Sequence, residues 1–272
     1  MYKLICCDLD KTLLNAKHEI APETMRVLKI LHDQGVYISI TTGRAGFDAK
    51  HHAELIGEDT YYMGSNGAIL GQKDQIIHET ILSQSQKHDL FDLIDKTKFK
   101  PIFVTDHHIY VYDWFHYMFN RLFYNRGQAD DYLVYEPNLN KLKALIIDEK
   151  IKIHKVIAFP KWKRASRVLK SAIHKKKTFE LAVTPGNVFE ITGLGVSKGS
   201  GVEHLAEHLG IEMSEVIAFG DSENDISMLK AVGLGVAMDN AKDKVKNVAD
   251  EVTLHHNELG VASTLKRVFE ID

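Results

Sequence analysis

The stretch Asp8-Leu9-Asp10-Lys11-Thr12 comes directly off an apolar run, Tyr2-Lys3-Leu4-Ile5-Cys6-Cys7. A short apolar run bounded by polar residues reads as a buried strand, with the carboxylates where it ends. At a side-chain period of two, Asp8 and Asp10 project to the same side, which holds two like charges close together at a sheet edge. Such a pair is tolerable when a cation sits between the carboxylates or when one of them keeps a proton. Both options are chemistry, and a solvated strand exit is the plain alternative that the rest of the chain has to decide against.

Downstream, Ala21-Pro22-Glu23-Thr24 opens a helix with proline in its first turn, an apolar face at Met25, Leu28, Ile30 and Leu31, and a stop at Gly35. Val36 to Ile40 is a second apolar run, and it ends in Thr41-Thr42-Gly43-Arg44. Strand, helix and strand in this order predict a parallel sheet with a right-handed crossover. Ligands of open α/β sheets lie outside the carboxyl ends of the strands, so both polar clusters are expected on one rim. A helix over 47–55 and a short strand at Tyr61-Tyr62-Met63 lead into Gly64-Ser65-Asn66-Gly67, a turn of small residues that lets backbone approach a ligand closely.

From about Ser83 the texture changes. The pattern predicts a helix over 89–96, strands over 101–105 and 109–112, an aromatic helix over 114–124, a strand over 154–159, a basic helix over 162–175 and a hairpin turning at Pro185-Gly186. Strands in runs with helices set apart suggest an α+β module built on a mostly antiparallel sheet. The α/β pattern then resumes: Lys198 stands at the entry to a helix, and Val216 to Gly220 is a buried strand ending in Asp221. A helix over 224–232, a strand over 234–238 and a helix over 241–249 follow, and the stretches 251–254 and 260–269 close the domain. The fold class is therefore α/β, a Rossmann-like doubly wound core of residues 1–82 and 187–272 with an inserted α+β domain of residues 83–186.

With 272 residues and 44% hydrophobic content the chain can bury a sizeable core. A formal net charge of -3 gives no electrostatic footprint for nucleic acid or an anionic membrane, so the expected partner is a small molecule. No apolar run approaches the roughly 20 residues of a membrane span, and no signal-peptide pattern opens the chain, so a cytoplasmic location is expected. Cys6 and Cys7, adjacent and pointing to opposite faces of one strand, read as small buried hydrophobes. The histidine pairs 51–52, 107–108 and 255–256 diverge along their elements and read poorly as metal ligands. The aromatic run Trp114 to Phe119 reads as core, and Lys161 to Lys177 as a solvated basic helix face.

The clusters at Asp8-Leu9-Asp10-Lys11-Thr12-Leu13, Thr42-Gly43-Arg44, Lys198 and Gly220-Asp221-Ser222-Glu223-Asn224-Asp225, in this order, resemble the motifs of the haloacid dehalogenase-like hydrolase superfamily. The whole length is similar to its type IIB, or Cof-type, branch with a cap domain of type C2B. The resemblance implies a Mg²⁺-dependent phosphomonoesterase that acts through an aspartyl-phosphate on a small phosphorylated metabolite such as a sugar phosphate, a nucleotide or a phosphorylated cofactor. It implies Asp8 as nucleophile, Asp10 as acid and base, and Lys198 with Thr42 completing the catalytic set. Thr42, the Gly43 amide and Asn224 would bind phosphoryl oxygens. Asp8, the Asp10 carbonyl and Asp221 would hold the metal, and Asp225 would orient its waters or Lys198. Arg44 stands between substrate contact and a structural pair, and Asn66 is a further candidate contact; Thr12 reads as a turn or capping hydroxyl. A monomer or homodimer is expected.

Two departures from the family pattern matter. Lys11 stands where glycine is common, which gives Asp10-Lys11-Thr12 an echo of P-type ATPases; the absence of membrane spans and the strand-end position of Asp8 argue against that reading. The tail Leu254 to Gly260 lacks the usual acidic pair. A phosphotransferase or sugar-phosphate mutase, and a non-catalytic phosphate-binding module, are the alternatives that share these residues.

Overall fold

The computed structural model describes residues 1–123, 132–184 and 188–272. The Pro185-Gly186 turn and the end of the aromatic helix at Tyr124 lie outside the described residues. In chain order the strands are β1 (Leu4–Cys7), β2 (Tyr37–Thr41), β3 (Tyr61–Gly64), β4 (Ile69–Gln72), β5 (Gln75–Glu79), β6 (Lys100–Thr105), β7 (Ile109–Val111), β8 (Leu133–Tyr135), β9 (Ile153–Phe159), β10 (Phe179–Thr184), β11 (Val188–Gly193), β12 (Val216–Gly220), β13 (Leu234–Ala237) and β14 (Glu251–Val252).

Two compact units are formed, Met1–Glu79 with Ser197–Asp272, and Thr80–Val196. The first carries an eight-stranded sheet in the order β14-β13-β12-β1-β2-β3-β4-β5. It is parallel from β14 to β3 and antiparallel at β4 and β5. Alternation along β1 explains its two-sided packing. Ile5 and Cys7 face a core built with the helices Pro22–Asp33, Gly46–Ile56 and Gly260–Phe269, while Leu4 and Cys6 face one built with Lys198–Leu209 and Ile226–Ala231. Helices on both faces make the sheet doubly wound. The cysteines point to opposite faces as small apolar residues, and burial pushes the Cys6 thiol up to about 12.

The inserted unit holds a six-stranded sheet, β10-β11-β9-β6-β7-β8, antiparallel except where β7 pairs with β8. Its core gathers Leu90, Phe91 and Ile94 from the helix Gln84–Thr97 and Leu169 and Ile173 from the helix Lys163–Lys176 against Phe103, Val156 and Phe189 of the sheet.

Both unit boundaries differ from the sequence reading. Leu82 donates its amide to the Ile153 carbonyl at 2.8 Å and lies in the inserted unit's core, so the chain has left the first sheet by Thr80. A cut at 186/187 would divide a hairpin, because β11 pairs with β10 along its length and with β9 on its other edge. The return crossing comes at Val196/Ser197. The helix read over 241–249 shortens to Asp243–Lys246, and β4, β8 and a helix at Leu139–Ile147 had no reading. Nor is the aromatic run core: Trp114, Phe115 and Phe119 are exposed, and it is His116 and Tyr117 that pack, against Phe159 and Tyr135. Lys163, Arg164, Arg167 and Lys170 are exposed along the basic helix, as a solvated face requires.

Candidate active site

Neighbouring strands β12, β1, β2 and β3 end side by side, and their carboxyl ends deliver Asp221, Asp8, Thr42 and Asn66 to one rim. The helix Lys198–Leu209 starts there too. Ser197 caps it reciprocally with Ser200: the Ser197 hydroxyl accepts from the Ser200 amide at 3.0 Å and the Ser200 hydroxyl from the Ser197 amide at 3.0 Å. The cap fixes the first helical residue, Lys198, whose ammonium is fully buried and donates to Asp8 Oδ1 and to Asp225 Oδ1, each at 2.6 Å.

Asp225 holds this arrangement from behind. Its Oδ2 accepts the backbone amides of Asp221 at 3.0 Å and Ser222 at 2.8 Å, which folds the chain back on itself. A Cβ at Gly220 would lie 2.4 Å from the Cβ of Asp225, so the turn closes only over glycine. Asp225 thus bridges the Lys198 ammonium and the backbone of the turn after β12. With Lys198 on Asp8 Oδ1 and the Ser222 hydroxyl on Asp221 Oδ1 at 3.1 Å, the second oxygens of Asp8 and Asp221 accept no hydrogen bond from the described residues.

Carboxylate oxygens of Asp8, Asp221 and Asp225 lie within 4.8 Å of one another, all buried. Among the described residues this is the one group of three acidic, histidine or cysteine side chains spaced to hold a metal ion; the histidine pairs form none. Three carboxylates against one ammonium leave an excess of negative charge in a buried place. Burial, with Asp225 and Asp221 nearby, pushes Asp8 up to about 8, and burial with Asp225 pushes Asp221 up to about 6. Hard oxygen donors with uncompensated negative charge fit a divalent cation.

Asp10 has a different environment. Arg44 grips both its oxygens, Nε on Oδ2 at 2.8 Å and Nη2 on Oδ1 at 2.6 Å, and reaches Asp48 with Nη1 at 3.1 Å. Burial pushes the Asp10 carboxyl up, but the Arg44 hydrogen bonds and charge outweigh it and hold the group below the usual carboxylate range. The Arg44 guanidinium has its fork filled by Asp10 and Asp48 in this structure. In this arrangement Asp10 is ionised, with both oxygens on Arg44.

Thr42 is buried, its hydroxyl accepting from the Arg44 amide at 3.2 Å. Asn224 donates from Nδ2 to Asn66 Oδ1 at 2.9 Å, beside Gly43. Thr12 departs from expectation: its buried hydroxyl finds no hydrogen-bond partner among the described residues. The sequence reading also missed what steadies the loop after Asp10. Asn240 donates to the Lys11 carbonyl at 2.9 Å, His256 Nδ1 contacts the Leu14 carbonyl at 2.8 Å, and Asn257 Oδ1 accepts the Ala16 amide at 2.8 Å. Where the expected acidic pair is missing, the tail holds that loop with the His256 imidazole and the Asn257 amide.

A sequence profile described as haloacid dehalogenase-like hydrolase matches residues 5–265. The chain belongs to the haloacid dehalogenase-like hydrolase family. It is a phosphatase of the Cof-type branch, and its relatives match it end to end. Phosphatase YwpJ of Bacillus subtilis is 29% identical, over 98% of this chain and 99% of that protein. The 5-amino-6-(5-phospho-D-ribitylamino)uracil phosphatase YcsE of the same organism is 30% identical, over 97% of this chain and 94% of its own. The solved structure of the subclass IIB sugar phosphatase BT4131 superposes with a TM-score of 0.78 at 26% identity, covering 99% of this chain and 100% of that one. The Rossmann-like sheet with an inserted α+β domain is thus a fold this phosphatase shares with that solved structure. Among its described residues no helix is long and apolar enough to cross a membrane.

Proposed function

We propose that this phosphatase hydrolyses small phosphomonoesters through a covalent aspartyl-phosphate on Asp8, with Mg²⁺ bound by Asp8, the Asp10 carbonyl and Asp221. The observation that carries the reading is the buried Lys198–Asp8 contact at 2.6 Å beside Asp221 and Asp225. A carboxylate fixed on one oxygen by an ammonium has its other oxygen left to attack. Asp8 Oδ2 forms the new bond to phosphorus as the ester P–O bond breaks and the alcohol leaves, and water then attacks the acyl phosphate to release inorganic phosphate and restore Asp8.

Asp10, held ionised by Arg44, takes the proton from the attacking water; protonation of the leaving alkoxide requires that the Arg44 grip be loosened or that the proton come from solvent. Thr42, the Gly43 amide and Asn224 donate to the phosphoryl oxygens, and Lys198 neutralises charge as it builds on them. Bound Mg²⁺ supplies further positive charge against the phosphoryl group. The names of the relatives cited above, one acting on a phosphorylated ribitylamino-uracil and one on sugar phosphates, support a small phosphorylated metabolite as substrate.

A panel of sugar phosphates, nucleotides and phosphorylated cofactors, assayed for phosphate release with Mg²⁺ and with excess chelator, tests this. Release from at least one ester that stops in chelator and returns with Mg²⁺ is expected. Release that persists undiminished in chelator contradicts the metal assignment, and no release from any ester contradicts the reading.

A further inference from the structure

Asn66 stands out because the backbone resists its position. Ser65, Asn66 and Gly67 take φ values of +51°, +61° and +99°, so three consecutive residues leave β3 in left-handed conformation. Asparagine tolerates that region better than most residues, yet glycine fits it at no cost, so a side chain kept here calls for a use. Its amide oxygen has one. Asn66 Oδ1 accepts Asn224 Nδ2 at 2.9 Å across a sequence separation of 158 residues, and joins the turn after β3 to the turn after β12 over the strands between them. Gly43, at the end of β2, lies under this bridge: a Cβ there would meet Asn66 Oδ1 at 3.0 Å and Asn224 Nδ2 at 3.6 Å.

A primary amide has one accepting end and one donating end, and only its surroundings decide which way it faces. Asn66 offers Asn224 an acceptor, so Asn224 turns its NH₂ toward Asn66 and Gly43. One of its two N–H bonds is used on Asn66. The planarity of the amide then fixes where the second points.

We infer that Asn66 is a positioning residue that sets the orientation of the Asn224 amide, so that Asn224 presents an N–H and not its carbonyl oxygen to the phosphoryl group. The inference rests on the proposed phosphatase chemistry and gives Asn66 a role other than direct substrate contact. Without the bridge the amide can turn over, and a carbonyl oxygen facing a phosphoryl oxygen repels it.

Asn66→Gly is the informative variant, since glycine keeps the left-handed backbone and removes only the side chain. We expect kcat/KM for the best ester to fall about tenfold, below the 10²–10³ lost when an anion-stabilising donor is deleted outright. The affinity for inorganic phosphate with Mg²⁺, measured by calorimetry without turnover, is expected to weaken in parallel while Tm stays close to wild type. The deciding comparison is the double variant Asn66→Gly/Asn224→Ala, which is expected to be no worse than Asn224→Ala alone, because the effect of Asn66 on the phosphoryl group passes through Asn224. Losses that multiply in the double variant, or an Asn66→Gly protein with wild-type kcat/KM and phosphate affinity, overturn the inference while leaving the phosphatase reading intact. A wild-type protein that neither hydrolyses any ester nor binds phosphate overturns the phosphatase reading itself.

Discussion

Lys198 and Asp8 stand 190 residues apart in sequence and 2.6 Å apart in space, with the ammonium fully buried. The second carboxylate on that ammonium, Asp225, spends its other oxygen on two backbone amides, so Lys198 cannot drift without unmaking the turn after β12. A cation held this rigidly beside a strand-end carboxylate costs desolvation that packing alone does not require.

Lys198→Met is therefore expected to damage both stability and turnover. Methionine fills much of the same volume but leaves the buried Asp8 and Asp225 without their shared ammonium, at a cost of about 3–5 kcal/mol by the measure of broken buried pairs. Denaturant unfolding should show a lowered midpoint, and phosphate release should fall by a factor of at least about 10³. A variant as stable as wild type would show that the ion pair contributes little to the fold.

Arg44 governs the protonation of Asp10, and a pH profile reads this. Arg44 holds the Asp10 carboxyl below its usual range, so Asp10 stabilises the fold above the unfolded value of about 4, and this contribution is lost as pH falls through the lower folded value. Arg44→Gln raises the Asp10 value. The Tm deficit of the variant, present at pH 7, is expected to shrink below about pH 4, as thermal unfolding across pH would read. A deficit that stays the same across that range would mean that the Arg44–Asp10 pair does not account for it.

Lys11 bears on the fold more than on the chemistry. Its φ is +61°, in the left-handed region, and its carbonyl is held by Asn240 at 2.9 Å. That conformation suits the glycine that is common here in the family pattern. Lys11→Gly should leave Tm unchanged or raised. Lys11→Val, with a branched Cβ in the same region, should cost about 1–2 kcal/mol in denaturant unfolding.

Much of the site was legible because it is written at strand ends. Asp8, Thr42 and Asp221 each follow an apolar run, and the carboxyl-end rule for open α/β sheets gathers such residues on one rim whatever their separation in sequence. Lys198 was legible as the first residue of a helix that starts there. Side-chain partners were not legible. That Arg44 takes Asp10 depends on how β1 and β2 are staggered, and that Asn66 takes Asn224 depends on a left-handed turn that leaves no mark on hydropathy. Two short strands, β8 with three residues and β4 with four, had no reading. At the return crossing, the texture of a hairpin strand is like that of a core strand, and only pairing with β9 and β10 assigns β11 to the inserted sheet.

The central claim is covalent attack by Asp8, and trapping the intermediate tests it most directly. Wild-type enzyme turning over its best ester with Mg²⁺ is quenched in acid, digested and mapped by mass spectrometry, beside Asp8→Asn and Asp10→Asn proteins whose folding is verified by circular dichroism. The account predicts a phosphoryl group on the peptide carrying Asp8, fragmentation that places it on Asp8, and neither label nor turnover in Asp8→Asn. A phosphoryl group mapped to Asp10, or an Asp8→Asn protein that still releases phosphate at the wild-type rate, would contradict it.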